Sequence, residues 1–175
     1  MNNRISKRRI IYAILAVAVM VTIFCFSSRD ADKSSEDSLK AGLVVGKVLV
    51  KDFDKLSEEK QLEYAERIDH PVRKTAHFLE YTILGFLLLG TFVGKDTVKI
   101  LPAAAAWVMG TFYAGTDEFH QRFTSGRSGQ LSDVLLDSSG VFTGVLLAVI
   151  IFLIIFHMRN NKETQLQFKK QISER

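Results

Sequence analysis

The chain has one cysteine and two prolines among its 175 residues. A single cysteine cannot form an internal disulfide, so no such bond holds the fold together. Familiar catalytic signatures are also missing: there is no nucleophile elbow, no cysteine-based dyad, no phosphate-binding glycine loop of known type and no HExxH zinc motif. These absences weaken the case for an enzyme of a familiar class, and they leave the cofactor, if there is one, unidentified.

Charged residues are nearly absent from four long apolar stretches. Ile10–Phe26 and Ile100–Ala114 carry no charge, Phe78–Val93 is interrupted by one acid, and Val134–Met158 has ionisable residues only near its ends. A membrane-spanning helix needs about 20 residues of this kind. We therefore predict an all-α, polytopic membrane protein, a single domain over residues 1–175 with a four-helix transmembrane bundle. The predicted spans are at about residues 10–27, 75–93, 98–116 and 134–158.

The first apolar stretch also fits a cleaved signal peptide, because basic residues precede it. The sequence after it offers no clean small-x-small cleavage site, so we expect a retained membrane anchor. The surroundings of Cys25 form a poor lipobox, and we expect this cysteine to be a small buried hydrophobe.

Basic residues lie on one side of the predicted topology, and the positive-inside rule makes that side the cytoplasm. Both termini are then cytoplasmic, residues 28–72 form an outer loop and residues 159–175 form a cytoplasmic tail. The bases concerned are Arg4, Lys7, Arg8 and Arg9 before the first span, Lys95 and Lys99 between the second and third, and Arg159, Lys162, Lys169, Lys170 and Arg175 after the fourth.

The outer loop has a helical pattern of its own. Residues 34–37 resemble a helix start, with hydroxyls and acids suited to a first turn. An apolar face follows, and we expect it to cap the outer mouth of the bundle or lie in the membrane interface. It is formed by Leu39, Leu43, Gly46, Val50 and Phe53 and widened by Val44, Val45, Val48 and Leu49. A second, more polar helix is predicted from Ser57 to about residue 68, and Pro71 is predicted to begin the second span.

Three apolar stretches begin or end in ionisable runs, at residues 73–81, 116–121 and 133–137, and the predicted topology places all three on the outer side. Charged groups in hydrocarbon cost roughly 2.5–3.5 kcal/mol each at a helix centre, so they suggest a functional site. Helical spacing lets members of each run share a face. The candidate acid–base residues are His77, Glu80, Asp117, Glu118, His120, Asp133 and Asp137, and the candidate substrate-binding residues are Arg73, Lys74, Gln121 and Arg127.

The fourth span also carries a stripe of small residues. Gly140 and Gly144 continue the helical spacing of Asp133 and Asp137. Small residues four apart let membrane helices approach closely. The stripe predicts that Asp137 faces protein rather than lipid.

Taken together, these motifs resemble those of the VanZ family, small bacterial membrane proteins named for a member associated with resistance to the glycopeptide teicoplanin. The resemblance extends from Ser27-Ser28 to about Leu147, and Ser138-Ser139 departs slightly from the expected pattern. It implies a role in the cell envelope, including a contribution to teicoplanin-type resistance, but it implies no particular reaction. The motifs are Arg73-Lys74-x-Ala76-His77-Phe78-x-Glu80-Tyr81, Asp117-Glu118-x-His120-Gln121, Gly126-Arg127 and Asp133-Val134-x-x-Asp137-x-x-Gly140.

Three functions fit these residues. The first is an enzyme acting on an envelope lipid or wall precursor, with arginines binding phosphate and a histidine as general acid or base. The second is a non-catalytic binder or transporter of an amphiphile, a lipid-linked precursor or a glycopeptide antibiotic. The third is a metal-dependent membrane hydrolase, which we do not favour because the usual zinc motifs are missing. Membrane lipids are the expected partners, and we expect no nucleic acid.

Overall fold

The computed structural model describes residues 6–94 and 98–173, except for the side chains of Phe168 and Lys170. Arg4, Lys95 and Arg175, used above to predict orientation, lie outside these residues. Five α-helices account for most of the described chain, and a single 3₁₀ turn, Phe53–Lys55, follows the second. The helices are α1 Lys7–Ser27, α2 Ala31–Leu49, α3 Glu58–Phe92, α4 Ile100–Gln121 and α5 Leu131–Ser173.

Three of the helices are long and apolar enough to cross a membrane. Within the described residues these are α1, α3 and α5. The all-α prediction is therefore confirmed, and the chain is a multi-pass membrane protein. Helix α4 does not reach the same level of hydropathy; much of its apolar content is alanine.

Helices α1 and α3 run antiparallel. Arg8 Nη2 donates to the carbonyl oxygen of Val93 at 2.8 Å, and Arg9 Nε donates to that of Thr91 at 2.6 Å. The last carbonyls of a helix lack partners within the helix, and its C-terminus carries partial negative charge. The two arginines at the start of α1 therefore stabilise the end of α3.

Helices α3 and α5 run parallel and touch through glycines. A methyl group on Gly140 would lie 2.6 Å from the carbonyl oxygen of Phe78, and one on Gly144 would lie 1.9 Å from that of Thr82. Moving four residues forward on α5 thus moves the contact four residues forward on α3, so the two helices run in the same direction. Asp137, on the same stripe, is 2% exposed. The predictions of close approach and of a protein-facing Asp137 are both confirmed.

Helix α4 connects the end of α3 to the start of α5, so it runs back along the bundle between two parallel helices. Its 22 residues reach about 33 Å at 1.5 Å per residue. The Tyr113 hydroxyl donates to the Met20 carbonyl oxygen at 2.6 Å, which ties α4 to α1. The hydroxyls of Thr111 and Ser138 lie 2.8 Å apart and tie it to α5.

Two helix boundaries in the outer loop were predicted wrongly. Helix α2 begins at Ala31, where the Asp30 carboxylate accepts the N–H of Lys33 at 3.0 Å, rather than at residue 34. Helix α3 is continuous from Glu58, so Pro71 lies inside it and begins no helix. Proline removes one helical hydrogen bond, but packing of α2 against the first half of α3 holds the helix together across that position.

The contact between α2 and α3 depends on small residues. A methyl group on Gly42 would lie 3.2 Å from the Cα atom of Ala65. The Ser38 hydroxyl donates to the carboxylate of Asp69, which also pairs with Arg73. The face of α2 that packs against α3 therefore carries Ser38 and Gly42. The predicted apolar face is partly buried, since Gly46 and Phe53 are in the core. Of the residues that widen it, Val44, Val48 and Leu49 are exposed.

The expectation that Cys25 is buried was also wrong. The cysteine is exposed near the end of α1. A membrane helix presents apolar residues to lipid, so an exposed sulfur there meets lipid rather than the protein core.

We expect Gly144→Ala to destabilise the bundle by about 1–3 kcal/mol, because the added methyl group forces α3 and α5 apart. The measurement is the Tm of the purified protein in detergent. Gly115→Ala is the matched control, since a methyl group there meets nothing within 4 Å. An equal Tm for the two variants would contradict the parallel contact.

Candidate functional site

The three ionisable runs meet at one end of the bundle, where two cavities adjoin. The smaller cavity, of about 170 Å³, lies between α3, the end of α4, the α4–α5 loop and the start of α5. The larger, of about 480 Å³, lies between the end of α1, helix α2 and α3. The predicted site residues that line the smaller cavity are Arg73, Lys74, His77, Glu118, Gln121, Arg127, Asp133 and Asp137.

Three side chains line both cavities: Arg73, His77 and Arg127. Each has a buried ring or guanidinium nitrogen with no hydrogen-bond partner among the described residues, namely Nε of each arginine and Nδ1 of the histidine. Leaving a buried donor unpaired costs about 1–3 kcal/mol, so native proteins rarely do so without a reason. These atoms lie on the boundary between the two cavities, which makes this boundary a candidate ligand site.

Arg127 is held loosely. Its Nη1 donates to the Gln121 side-chain oxygen at 3.3 Å, and its Nη2 donates to the Phe26 carbonyl oxygen at 3.5 Å. Burial, and then the nearby positive charge of Arg73, lower the pKa of Arg127. Two guanidinium groups thus lie close together, and no carboxylate of the described chain forms an ion pair with Arg127.

Arg73 and Lys74 have acidic partners. Arg73 pairs with Asp69 one turn earlier on α3, and Lys74 Nζ lies 2.8 Å from the Asp133 carboxylate. The Lys74–Asp133 pair is about one-third exposed, and it connects α3 to α5. Exposed pairs of this kind contribute about 0–1 kcal/mol. Lys74 is therefore available to a ligand only in competition with Asp133.

Two of the predicted acids hold helices together. The Glu118 carboxylate accepts the backbone N–H of Gln130 at 2.6 Å, just before α5 begins. Its negative charge lies at the positive end of that helix. Asp117 accepts from the Ser27 hydroxyl at 2.9 Å and from the Gln121 side-chain amide at 3.2 Å. Asp117 is 3% exposed and ties α4 to α1.

The structure places His120 and Asp117 outside both cavities, whereas Glu80 lines the larger one together with Arg73, His77 and Arg127. His120 Nε2 lies 3.2 Å from the Ser28 hydroxyl, and its tilted ring has its centroid 4.8 Å from that of Phe24. Both His120 and Asp117 therefore contact the end of α1 instead of facing a cavity.

Tyr81 belongs to the site region, and we did not predict it. Its buried hydroxyl lies near the Asp117 carboxylate of α4. The signal in the sequence was its spacing, since Tyr81 lies one helical turn after His77. Ser27 was also missed, because the last residue of an apolar helix, far along the sequence from the ionisable runs, gives little indication of a bond to Asp117.

The metal-dependent reading would use His77, Glu80, Asp117, Glu118 and His120 as ligands. Within residues 6–94 and 98–173, no group of three or more His, Cys, Asp or Glu side chains is placed to hold a metal ion. His77 lies on the cavity boundary, whereas His120 lies against α1.

We expect Glu118→Ala to destabilise the protein by about 1–3 kcal/mol, because the Gln130 N–H loses its acceptor. The measurement is the Tm in detergent. Glu118→Gln, which keeps an oxygen acceptor, should recover part of the loss. Ser128→Ala, on the exposed rim of the same cavity, is the control and should leave the Tm unchanged. No change in Glu118→Ala would mean that this carboxylate does not stabilise α5.

Comparison with known proteins identifies the family. The VanZ/LLP1 family matches residues 11–167, which include all five helices in whole or in large part. No curated protein and no solved structure shows a significant match. The matched region contains both cavities and every predicted site residue. The chain therefore belongs to the VanZ/LLP1 family.

Proposed function

We propose that this VanZ-family protein binds the phosphate-bearing headgroup of a cell-envelope amphiphile, such as a lipid or a lipid-linked wall precursor, at the outer face of the membrane. The observation that carries the proposal is the pair Arg73 and Arg127, each with an unpartnered buried Nε on the boundary between two cavities. Arginine has the planar donor geometry that binds phosphate oxygens in pairs.

Electrostatics support an anionic ligand. Burial is the main cause of the lowered pKa of Arg127, and repulsion by the positive charge of Arg73 adds to it. An anion between the two guanidinium groups would remove the repulsion and supply acceptors for the unpaired N–H groups. His77 contributes a third nitrogen to the same boundary.

The cavities lie at the end of apolar helices, which favours an amphiphile over a soluble anion. Phe26, which lines the larger cavity, is 45% exposed. A ligand anchored in the bilayer can therefore present its headgroup to the arginines while its apolar part stays beside this side chain.

We propose four membrane crossings, with both termini in the cytoplasm. The support is the parallel arrangement of α3 and α5, because a chain that enters two parallel spans from one side must cross back between them. Helix α4 is long enough to do so. Lys7, Arg8 and Arg9 lie at the opposite end from the cavities, as the positive-inside rule requires for an outer site.

Catalysis is the second candidate, favoured by one observation. His77 Nδ1 and Asp137 Oδ1 are both unpartnered and both line the smaller cavity. Such a pair can hold and transfer a proton at a bound phosphate ester. Resistance to teicoplanin stays a prediction of the family resemblance.

We expect Arg127→Gln to weaken binding of dihexanoyl phosphatidic acid by about 10–100-fold, because hydrogen bonds to charged groups contribute about 1.5–3 kcal/mol. The measurement is isothermal titration calorimetry of the protein in detergent. Arg122→Gln removes the same charge from the same region without lining either cavity, and it should leave the affinity unchanged. Equal losses in the two variants, or no binding by the unaltered protein, would contradict the proposed function.

Labelling of single cysteines tests the topology. In a Cys25→Ser background, a membrane-impermeant maleimide added to whole cells should label Ser128→Cys but not Lys99→Cys or Lys162→Cys. All three positions are exposed in the structure. Labelling of both Lys99→Cys and Ser128→Cys would show that α4 does not cross. Labelling of Lys162→Cys alone would reverse the orientation.

A further inference from the structure

We infer that the ligand's phosphate is a bridging one, a phosphodiester or diphosphate diester, with a polar substituent in the smaller cavity and an apolar substituent in the larger. This inference rests on the proposed function. It follows from the position of Arg73, His77 and Arg127, which line both cavities. An anion at this boundary has space on two sides, and a phosphate monoester would fill only one of them.

The smaller cavity suits a polar group. Its lining includes side-chain amides and carboxylates from α4, the α4–α5 loop and α5, among them Gln121, Gln130 and Asp137. Asp137 Oδ1 is buried, and no donor in the described chain reaches it. A hydroxyl-bearing substituent would supply that donor.

The larger cavity suits an apolar group. Phe26, Ala41, Val72 and Ala76 contribute carbon surface to it. Two of its charged side chains, Arg29 and Asp37, pair with each other. Because these two side chains pair with each other, they add little net charge to the larger cavity. Phe26 is partly exposed, so the larger cavity lies beside the outer surface of the bundle.

Glu80 restricts where the phosphate lies. It lines the larger cavity two helical turns below Arg73, roughly 10 Å along the axis of α3. Glu80 offers an anion no positive charge at that depth, whereas the guanidinium groups of Arg73 and Arg127 attract it at the boundary. The positions of the positive charges thus hold the phosphate at the boundary between the cavities and not at the bottom of the larger one.

The test compares a diester with a monoester on the same tail. Dihexanoyl phosphatidylglycerol and dihexanoyl phosphatidic acid form one pair, and the glucosyl diester of farnesyl phosphate and farnesyl phosphate itself form the other. We expect the diester to bind about tenfold more tightly than its monoester in at least one pair, as measured by titration calorimetry in detergent. A preference confined to the glycerol tails identifies a phospholipid, and one confined to the farnesyl tails identifies an isoprenoid-linked precursor.

Variants that fill the smaller cavity make the test specific. Ser128→Trp fills it from the loop, and Leu136→Trp fills it from α5, so that one variant suffices if the other does not fold. In each, the ratio of diester to monoester affinity should fall to about one, because the second substituent loses its place. Ser125→Trp, exposed on the same loop and outside both cavities, should keep the ratio of the unaltered protein.

The outcomes separate the two claims. If neither monoesters nor diesters bind the unaltered protein, the proposed function fails. If both bind with equal affinity, or if the ratio is the same in Ser128→Trp, Leu136→Trp and Ser125→Trp, the phosphate site stands and the bridging inference is overturned.

Discussion

The close parallel contact between α3 and α5 determines the rest of the architecture. It depends on glycines at positions 85, 140 and 144, where any side chain would meet the backbone of the facing helix. Because α3 and α5 run in the same direction, the chain must return between them to the end where α3 begins, and α4 is the returning segment. The return brings the end of α4 to the start of α5, beside the middle of α3, and this juxtaposition gathers the ionisable runs at one end of the bundle.

The resulting site contains several buried polar atoms without hydrogen-bond partners, which native protein interiors rarely do. Nitrogens of Arg73, His77 and Arg127 and one oxygen of Asp137 are all buried without partners among the described residues. Each such atom costs free energy, and together they are a substantial burden for one small bundle. The burial of Glu118 and of one carboxylate oxygen of Asp117 has a structural role: Glu118 caps α5, and Asp117 joins α4 to α1. The proposed ligand would complete the hydrogen bonds of the unpaired atoms on the cavity boundary.

Much of this arrangement was predictable from the sequence, and the exceptions have physical causes. Periodicity identified the helices, and the glycine stripe predicted the buried Asp137. The prediction that Pro71 begins a helix was wrong, because α3 packs against α2 and continues through this residue. Spacing within α4 correctly placed His120 near Asp117, but it did not show that both meet α1: Asp117 bonds to Ser27, and the ring of His120 contacts that of Phe24. The boundary between the cavities could not be predicted, because it is formed by segments far apart in the sequence, and no pattern within either segment indicates that they meet.

The central claim is that Arg73 and Arg127 hold a phosphate. The most direct measurement is native mass spectrometry of the protein released from its own membranes, with lipids identified by fragmentation. The account predicts a retained phosphate-bearing lipid on the unaltered protein that is lost from the double variant Arg73→Gln, Arg127→Gln, while other lipid adducts persist. Retention of the same phosphate-bearing lipid by both proteins, or a retained lipid that contains no phosphate, would contradict it.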